Sequence, residues 1–119
     1  MASHTRWMRP AAKSFDHVLA GVNLKAPALP LFSNALGRLR DASGARTALA
    51  RQIAQTVAWD ECMDAIAAQR VHAVLEIGPG AALARMWQDR HADVPARSAD
   101  EFRSAPAIVA WLTRHLRRS

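Results

Sequence analysis

The sequence predicts an α/β domain in which helices pack on a few parallel strands. Three observations carry that prediction. First, "VHAVLEIGPG" contains a nearly continuous apolar run, Val71, Ala73, Val74, Leu75 and Ile77. Such a run suits a strand buried on both faces of a parallel sheet. Second, the run ends in Gly78-Pro79-Gly80, and "AALARMWQDR" continues with helical spacing. Helix, strand, glycine turn and helix in succession is the rhythm of α/β architecture. Third, half of the 119 residues are hydrophobic and 22% are charged, which is ordinary globular composition for one domain or a piece of one.

The remaining elements follow in chain order. "RPAAKSFDHVLAGVNL" reads as a helix. Pro10 suits its first turn, Ala11, Phe15, Val18, Leu19 and Val22 recur at helical spacing, and Gly21 and Asn23 stop it. In "APALPLFSNALG", Pro27 and Pro30 forbid a helix interior. Leu29, Leu31 and Phe32 fit a short strand near an edge, followed by a turn at Ser33, Asn34 and Gly37. "DASGARTALARQIAQ" becomes helical from about residue 45, with Leu49, Ala50 and Ile53 apolar. "TVAWDECMDAIAAQR" is another helix, with Trp59, Met63, Ile66 and Ala67 on one side and Asp60, Glu61, Asp64 and Arg70 on the other. A short strand is possible near "VPARS". Ser104 is an N-cap and Pro106 a first-turn residue for a last helix that carries Ile108, Val109, Leu112 and Leu116 inward.

The net charge of +6 raises acidic partners, phosphate and nucleic acid as ligand classes. The basic residues are spread along the chain, and those near the end complement a helix dipole, so nucleic-acid binding is not the expected role. With one cysteine, Cys62, there is no internal disulfide and no thiolate metal cluster. No apolar run approaches the roughly 20 residues that span a bilayer, and no signal peptide is visible. No membrane association and a cytoplasmic location are expected.

Several patterns look like chemistry and have a plainer reading. Gly78-Pro79-Gly80 lacks the third glycine of a dinucleotide fingerprint and the lysine of a P-loop, so a tight strand-to-helix turn is expected rather than a phosphate cradle. His4, His17, His72, His91 and His115 show no ligand spacing, and no metal site is expected. Nothing in the sequence lowers the pKa of Cys62, which reads as a bystander on an amphipathic helix. A nucleophile elbow needs G-x-S-x-G, and no serine in these residues has it.

The order of motifs does resemble a known family. "SHT" beside "MRPAA", then "APALPLFSN", then "RQIAQTVAWDECMDAIAAQRV", then "EIGPG" resembles the C-terminal half of the malonyl-CoA:acyl carrier protein transacylases. That family includes the acyltransferase domains of polyketide and fatty-acid synthases. Residues 3–90 carry the match, and residues 91–119 are a loop plus a C-terminal helix. "ARSADEFRSAPAIVAWLTRH" more loosely resembles the transacylase (epsilon) subunit of biotin-independent malonate decarboxylase, and both contexts stay open.

The resemblance implies the C-terminal portion of an α/β-hydrolase-like acyltransferase domain, without the small inserted subdomain. It implies that His4 is the catalytic histidine, exchanging protons with a serine and with thiols, and that the backbone carbonyl of Gln52 orients its ring. Asn34 matches a polar residue near the site and is a supporting candidate only. No bound cofactor is implied. Malonyl-CoA and a phosphopantetheine carrier are the implied substrates, and an acyl carrier protein the implied partner. The family's serine, its oxyanion-hole glutamine and its malonyl-binding arginine belong to the preceding half. A chain carrying that half is therefore an expected partner, and this chain alone is expected to be a marginal, inactive monomer. Ala2 stands where the family usually has proline. The competing reading is a non-catalytic basic α/β module that binds an acidic protein or nucleic acid. Intact-mass analysis after incubation with malonyl-CoA is expected to find no covalent adduct, because no elbow serine is present to carry the acyl group. A malonyl adduct on one residue contradicts this.

Overall fold

A computed structural model describes residues 4–117 and falls into two compact units, Met1–Ile66 and Ala67–Ser119. Ala2 and Ser3, named above, lie outside the described residues.

In the first unit, a 3-10 turn at Arg6–Met8 leads into α1 (Arg9–Leu19), which has proline in its first turn as expected. α1 turns Ala12, Phe15 and Leu19 inward. The predicted face is corrected here: Val18 is 62% and Val22 48% exposed. Successive residues stand about 100° apart on a helix, so Val18 points well away from the arc that Ala12, Phe15 and Leu19 share.

The predicted edge strand is β1 (Leu31–Ser33), with Leu29 outside it and exposed. It pairs antiparallel with β2 (Gly37–Leu39), in the register Leu31 to Leu39 and Ser33 to Gly37. The return strand was not expected. Its turn is set by the Ser33 hydroxyl, which accepts from the Ala35 amide, and by Gly37 at φ +74°, where other residues are strained.

α2 (Ala42–Arg51) starts three residues earlier than expected. The Asp41 carboxylate explains this, because it accepts from the Gly44 amide at 2.6 Å and caps the first turn. Ala48 and Ala50 are buried, and Arg46 reaches Asp16 of α1 through two nitrogens. α3 (Trp59–Ala67) has the expected faces: Met63 is buried, Trp59, Ile66 and Ala67 are half-buried, and Asp60, Glu61 and Asp64 are exposed. The carboxylates of Asp60 and Glu61 occupy the first turn, where the helix dipole favours them.

In the second unit, β3 (Val74–Glu76) lies parallel to β4 (Ala96–Ser98), Val74 opposite Ala96 and Glu76 opposite Ser98. The parallel pairing and the strand near "VPARS" are as predicted. The strand is shorter than the apolar run: its three residues are half-buried, and Ile77 is 77% exposed where the chain leaves the ladder for the glycine turn.

α4 (Ala82–Arg90) packs on both strands. Its Trp87 is 2% exposed and donates its indole N–H to the Val94 carbonyl at 3.1 Å. α5 (Ala105–Leu116) is capped by the Ser104 hydroxyl, with Pro106 in the first turn, as expected. Its inward face is only partly the expected one: Ile108 and Leu112 turn inward as predicted. Trp111 is buried against Phe102, whereas Val109 and Leu116 are 60% and 62% exposed. Ile108, Trp111 and Leu112 form the inward stripe, and Val109 stands about 100° round from Ile108.

Truncating Trp87 removes the largest fully buried side chain and one of the two donors to the Val94 carbonyl, the other being Gln88 Nε2 at 3.2 Å. Trp87→Ala is expected to cost about 3–5 kcal/mol in urea unfolding followed by circular dichroism. Trp7→Ala, at a 72% exposed site, is expected to stay within about 0.5 kcal/mol of the parent.

Candidate functional site

The candidate site lies in the first unit, where His4 meets the end of α2. An α-helix leaves its last carbonyls without partners inside the helix, and the negative end of its dipole gathers there. His4 takes two carbonyls just past that end. Its backbone amide donates to the Ile53 carbonyl at 2.8 Å, and its Nδ1 donates to the Gln52 carbonyl at 2.5 Å.

These bonds hold His4 at φ +62°, a left-handed conformation that histidine tolerates better than most residues. A carbonyl can only accept, so Nδ1 carries a proton in any charge state of the ring. In the neutral ring, Nε2 is then the lone-pair nitrogen. His4 is exposed. The arrangement offers an oriented, accessible base with its tautomer assigned by the backbone.

Asn34 lies in the β1–β2 turn and lines a cavity of about 250 Å³. That cavity is also lined by Gln52, Ala48, Leu49, Trp59 and Cys62. The structure thus brings Gln52 to both His4 and the Asn34 cavity. Among the described residues, Asn34 makes no hydrogen bond to His4. The Ile53 carbonyl was missed by sequence reasoning, and the position of the α2 end is the only signal that could have found it.

In the second unit, the Gly78-Pro79-Gly80 turn is occupied from within. The Gly80 amide donates to the Asp100 carboxylate at 2.7 Å, and the Ala84 amide donates to the Glu76 carboxylate at 2.7 Å. A phosphate at this helix start would meet two carboxylates. The turn is also tight: a Cβ on Gly78 would sit 3.0 Å from Asp100 Oδ2 and 3.0 Å from the Gly80 nitrogen. The buried Ser98 hydroxyl donates to the Gly80 carbonyl and closes the turn. Among the described residues, no three His, Cys, Asp or Glu side chains gather as a metal site, and no helix is long and apolar enough to cross a membrane.

No protein-family model matches the chain. A malonyl CoA-acyl carrier protein transacylase of Salmonella typhimurium is 38% identical over 82 residues, which are 68% of this chain and 26% of that protein. The Haemophilus influenzae transacylase is 28% identical over 111 residues, 92% of this chain and 36% of its own length. Among solved structures, an acyl-carrier-protein S-malonyltransferase from Burkholderia pseudomallei 1710b superposes with a TM-score of 0.74 at 33% identity, covering 81% of this chain and 32% of that one. A malonyl-transacylase solved in complex with a type II polyketide-synthase acyl carrier protein gives a TM-score of 0.81 at 29% identity, over 94% of this chain and 36% of that one. The chain is homologous to the C-terminal part of the malonyl-CoA:acyl carrier protein transacylases, and its fold is that of a fragment of their acyltransferase domain. It spans between 26% and 36% of the length of the curated relatives named here.

Cys62 is buried, and loss of hydration raises its thiol above the ordinary value. The folded state therefore favours the protonated form. Its contribution to stability is full below the unfolded thiol's pKa and is lost as the pH rises through the folded one. Iodoacetamide, which reacts with thiolate, is expected to label Cys62 at about pH 8 at least roughly tenfold more slowly in native buffer than in urea, as read by mass spectrometry. Equal rates would show an open, ionised thiol.

Proposed function

We propose that this chain supplies the proton-transferring histidine of a malonyl transacylase whose serine is carried on a different stretch of polypeptide. The observation that supports this reading most directly is the bond from His4 Nδ1 to the Gln52 carbonyl, which leaves Nε2 as the accessible basic nitrogen.

In the first half-reaction, Nε2 takes the proton of the serine hydroxyl as its oxygen attacks the thioester carbonyl of malonyl-CoA. The tetrahedral adduct collapses, the carbon–sulfur bond breaks, and the proton on Nε2 passes to the departing thiolate. In the second half-reaction, Nε2 takes the proton of the carrier's phosphopantetheine thiol, whose sulfur attacks the malonyl-serine ester. The ester bond breaks and the proton returns to the serine oxygen. The imidazole ends each half-reaction as it began. Gln52 acts through its backbone only, holding the ring, and Asn34 is at most a positioning residue on the cavity side of Gln52.

The acceptor on this reading is an acyl carrier protein. The named relatives are acyl carrier protein transacylases, so the looser likeness of the tail to a malonate decarboxylase subunit is the narrower alternative. A partner chain bearing the serine half and a cytoplasmic location belong to the same proposal.

The test combines the chain with a serine-bearing N-terminal lobe from a transacylase relative, expressed together, and follows malonyl transfer to an acyl carrier protein. The pair is expected to restore transfer, and His4→Ala to lower it roughly 10²–10⁴-fold. No restored transfer, or an unimpaired His4→Ala pair, overturns the proposal.

A further inference from the structure

The cavity beside Gln52 has a chemistry opposite to that of a malonyl group. It measures about 250 Å³ and is walled by Leu31 and Leu39 of the hairpin, Leu49 of α2 and Trp59 of α3. None of its lining residues is charged. Ser33, Asn34 and Gln52 are its polar lining. Among the described residues, the side-chain amides of Asn34 and Gln52 have no hydrogen-bond partner. A malonyl carboxylate placed here would meet no cation, and an unpaired charge out of water is costly. The neighbouring cavity, about 420 Å³, shares Ser33, Asn34 and Cys62 and adds Glu61, whose charge repels an anion further.

We propose that this cavity takes the hydrocarbon chain of a neutral, medium-length acyl thioester, with the thioester end at Asn34 and Gln52. This rests on the His4 reading given above and adds a second acyl class to it. Apolar cavities take apolar guests. Ligand sites are concave and mostly apolar, with a few convergent polar groups that orient the guest. Here those groups are the two amides, each able to donate to a thioester carbonyl. The Gln52 carbonyl also holds the His4 ring, so a thioester at Gln52 lies beside the residue that orients the base. Volume sets the chain length. A methylene takes about the same share of space as a water molecule, roughly 30 Å³, so the cavity holds about eight carbons at most.

The test titrates the full, isotope-labelled chain with the N-acetylcysteamine thioesters of butyryl, hexanoyl, octanoyl and decanoyl groups, and with the malonyl thioester. Nuclear magnetic resonance follows the Asn34 side-chain amide and the Trp59 indole N–H. Affinity is expected to rise roughly three- to fourfold per methylene as far as octanoyl and to level off at decanoyl. The malonyl thioester is expected to shift neither resonance. Ala45→Leu, which fills the cavity from α2, is expected to weaken octanoyl binding roughly tenfold or more. Val109→Ala, at an exposed site of the second unit, is expected to leave it within about twofold. Circular dichroism verifies the fold of each variant. Leu49→Phe replaces Ala45→Leu should the latter unfold, with the same loss expected.

Absent binding, binding equal at every chain length, or binding equal in parent and Ala45→Leu overturns the proposal and leaves the His4 reading standing. A malonyl thioester that shifts both resonances as octanoyl does overturns it too. Loss of octanoyl binding when the serine-bearing lobe is added shows that the lobe fills the cavity, with the same consequence. Length-dependent binding by a chain whose pairing with that lobe restores no transfer overturns the His4 reading instead and keeps the cavity as an apolar ligand site.

Discussion

The carbonyls beyond the C-terminal end of α2 are what the candidate site depends on. Gln52 and Ile53 each present one to His4, one bonded to the ring and one to the amide. Two bonds from one residue to consecutive carbonyls form a two-point clamp. It sets the backbone at positive φ and the ring plane together. The Gln52 bond restrains the ring, and the Ile53 bond restrains the backbone that carries it. Which carbonyl faces His4 follows from where α2 starts and how it is anchored. Asp41 sets the first turn, Ala48 and Ala50 bury one face, and Arg46 ties the helix to α1 through Asp16. The Arg46–Asp16 pair is well exposed and adds little stability by itself. Its consequence is geometric, because it couples the helix that follows His4 to the helix whose end receives it.

The second unit solves a related problem at the opposite end of a helix. The first amides of α4 have no partners within the helix. Glu76 at the end of β3 and Asp100 after β4 provide carboxylates for the Ala84 and Gly80 amides. The Ser98 hydroxyl accepts from the Asp100 amide and donates to the Gly80 carbonyl, and the Ser98 amide donates to the Glu101 carboxylate, completing a capping box. The "EIGPG" stretch is therefore a structural clasp. Its glutamate neutralises a helix start, and its glycine at 78 lets Asp100 come close.

Much of this was legible in the sequence, for physical reasons that differ by element. Helix starts were readable wherever a cap or a first-turn proline stood: Pro10, Ser104 and Pro106 all occupy the expected places. Asp41 is a cap too, yet the helix was expected only from about residue 45, and the bond from the Gly44 amide to the Asp41 carboxylate starts it earlier. Inward faces were less legible. Val18, Val109 and Leu116 are apolar and exposed, whereas Trp111 is buried through packing on Phe102 that no helical period contains. The β1–β2 hairpin was half visible, since the turn residues announce it but "GRL" does not read as a strand. The long apolar run at 71–77 overstated β3, because ladder length depends on the partner strand, and β4 pairs over three residues only.

The pairing of His4 with the Gln52 carbonyl was legible through the family resemblance and not through residue chemistry, for a reason that lies in the kind of acceptor it uses. A search by side-chain chemistry looks for a carboxylate beside a histidine. Here the acceptor is a main-chain oxygen, and any residue at position 52 would provide one. The specification therefore lies in helix phase and in the 48 residues of separation between His4 and Gln52, neither of which appears as a motif. A carboxylate would bring full charge and the freedom of its own rotamers. A carbonyl past a helix end brings only a fraction of a charge, but its direction is set by a backbone that is already hydrogen-bonded, since the Gln52 amide itself donates to Ala48. Such a site exchanges electrostatic strength for preorganisation. The features that identify it are the cap, the buried alanines and the interhelical pair that hold α2 in place, more than the polar residues around the imidazole.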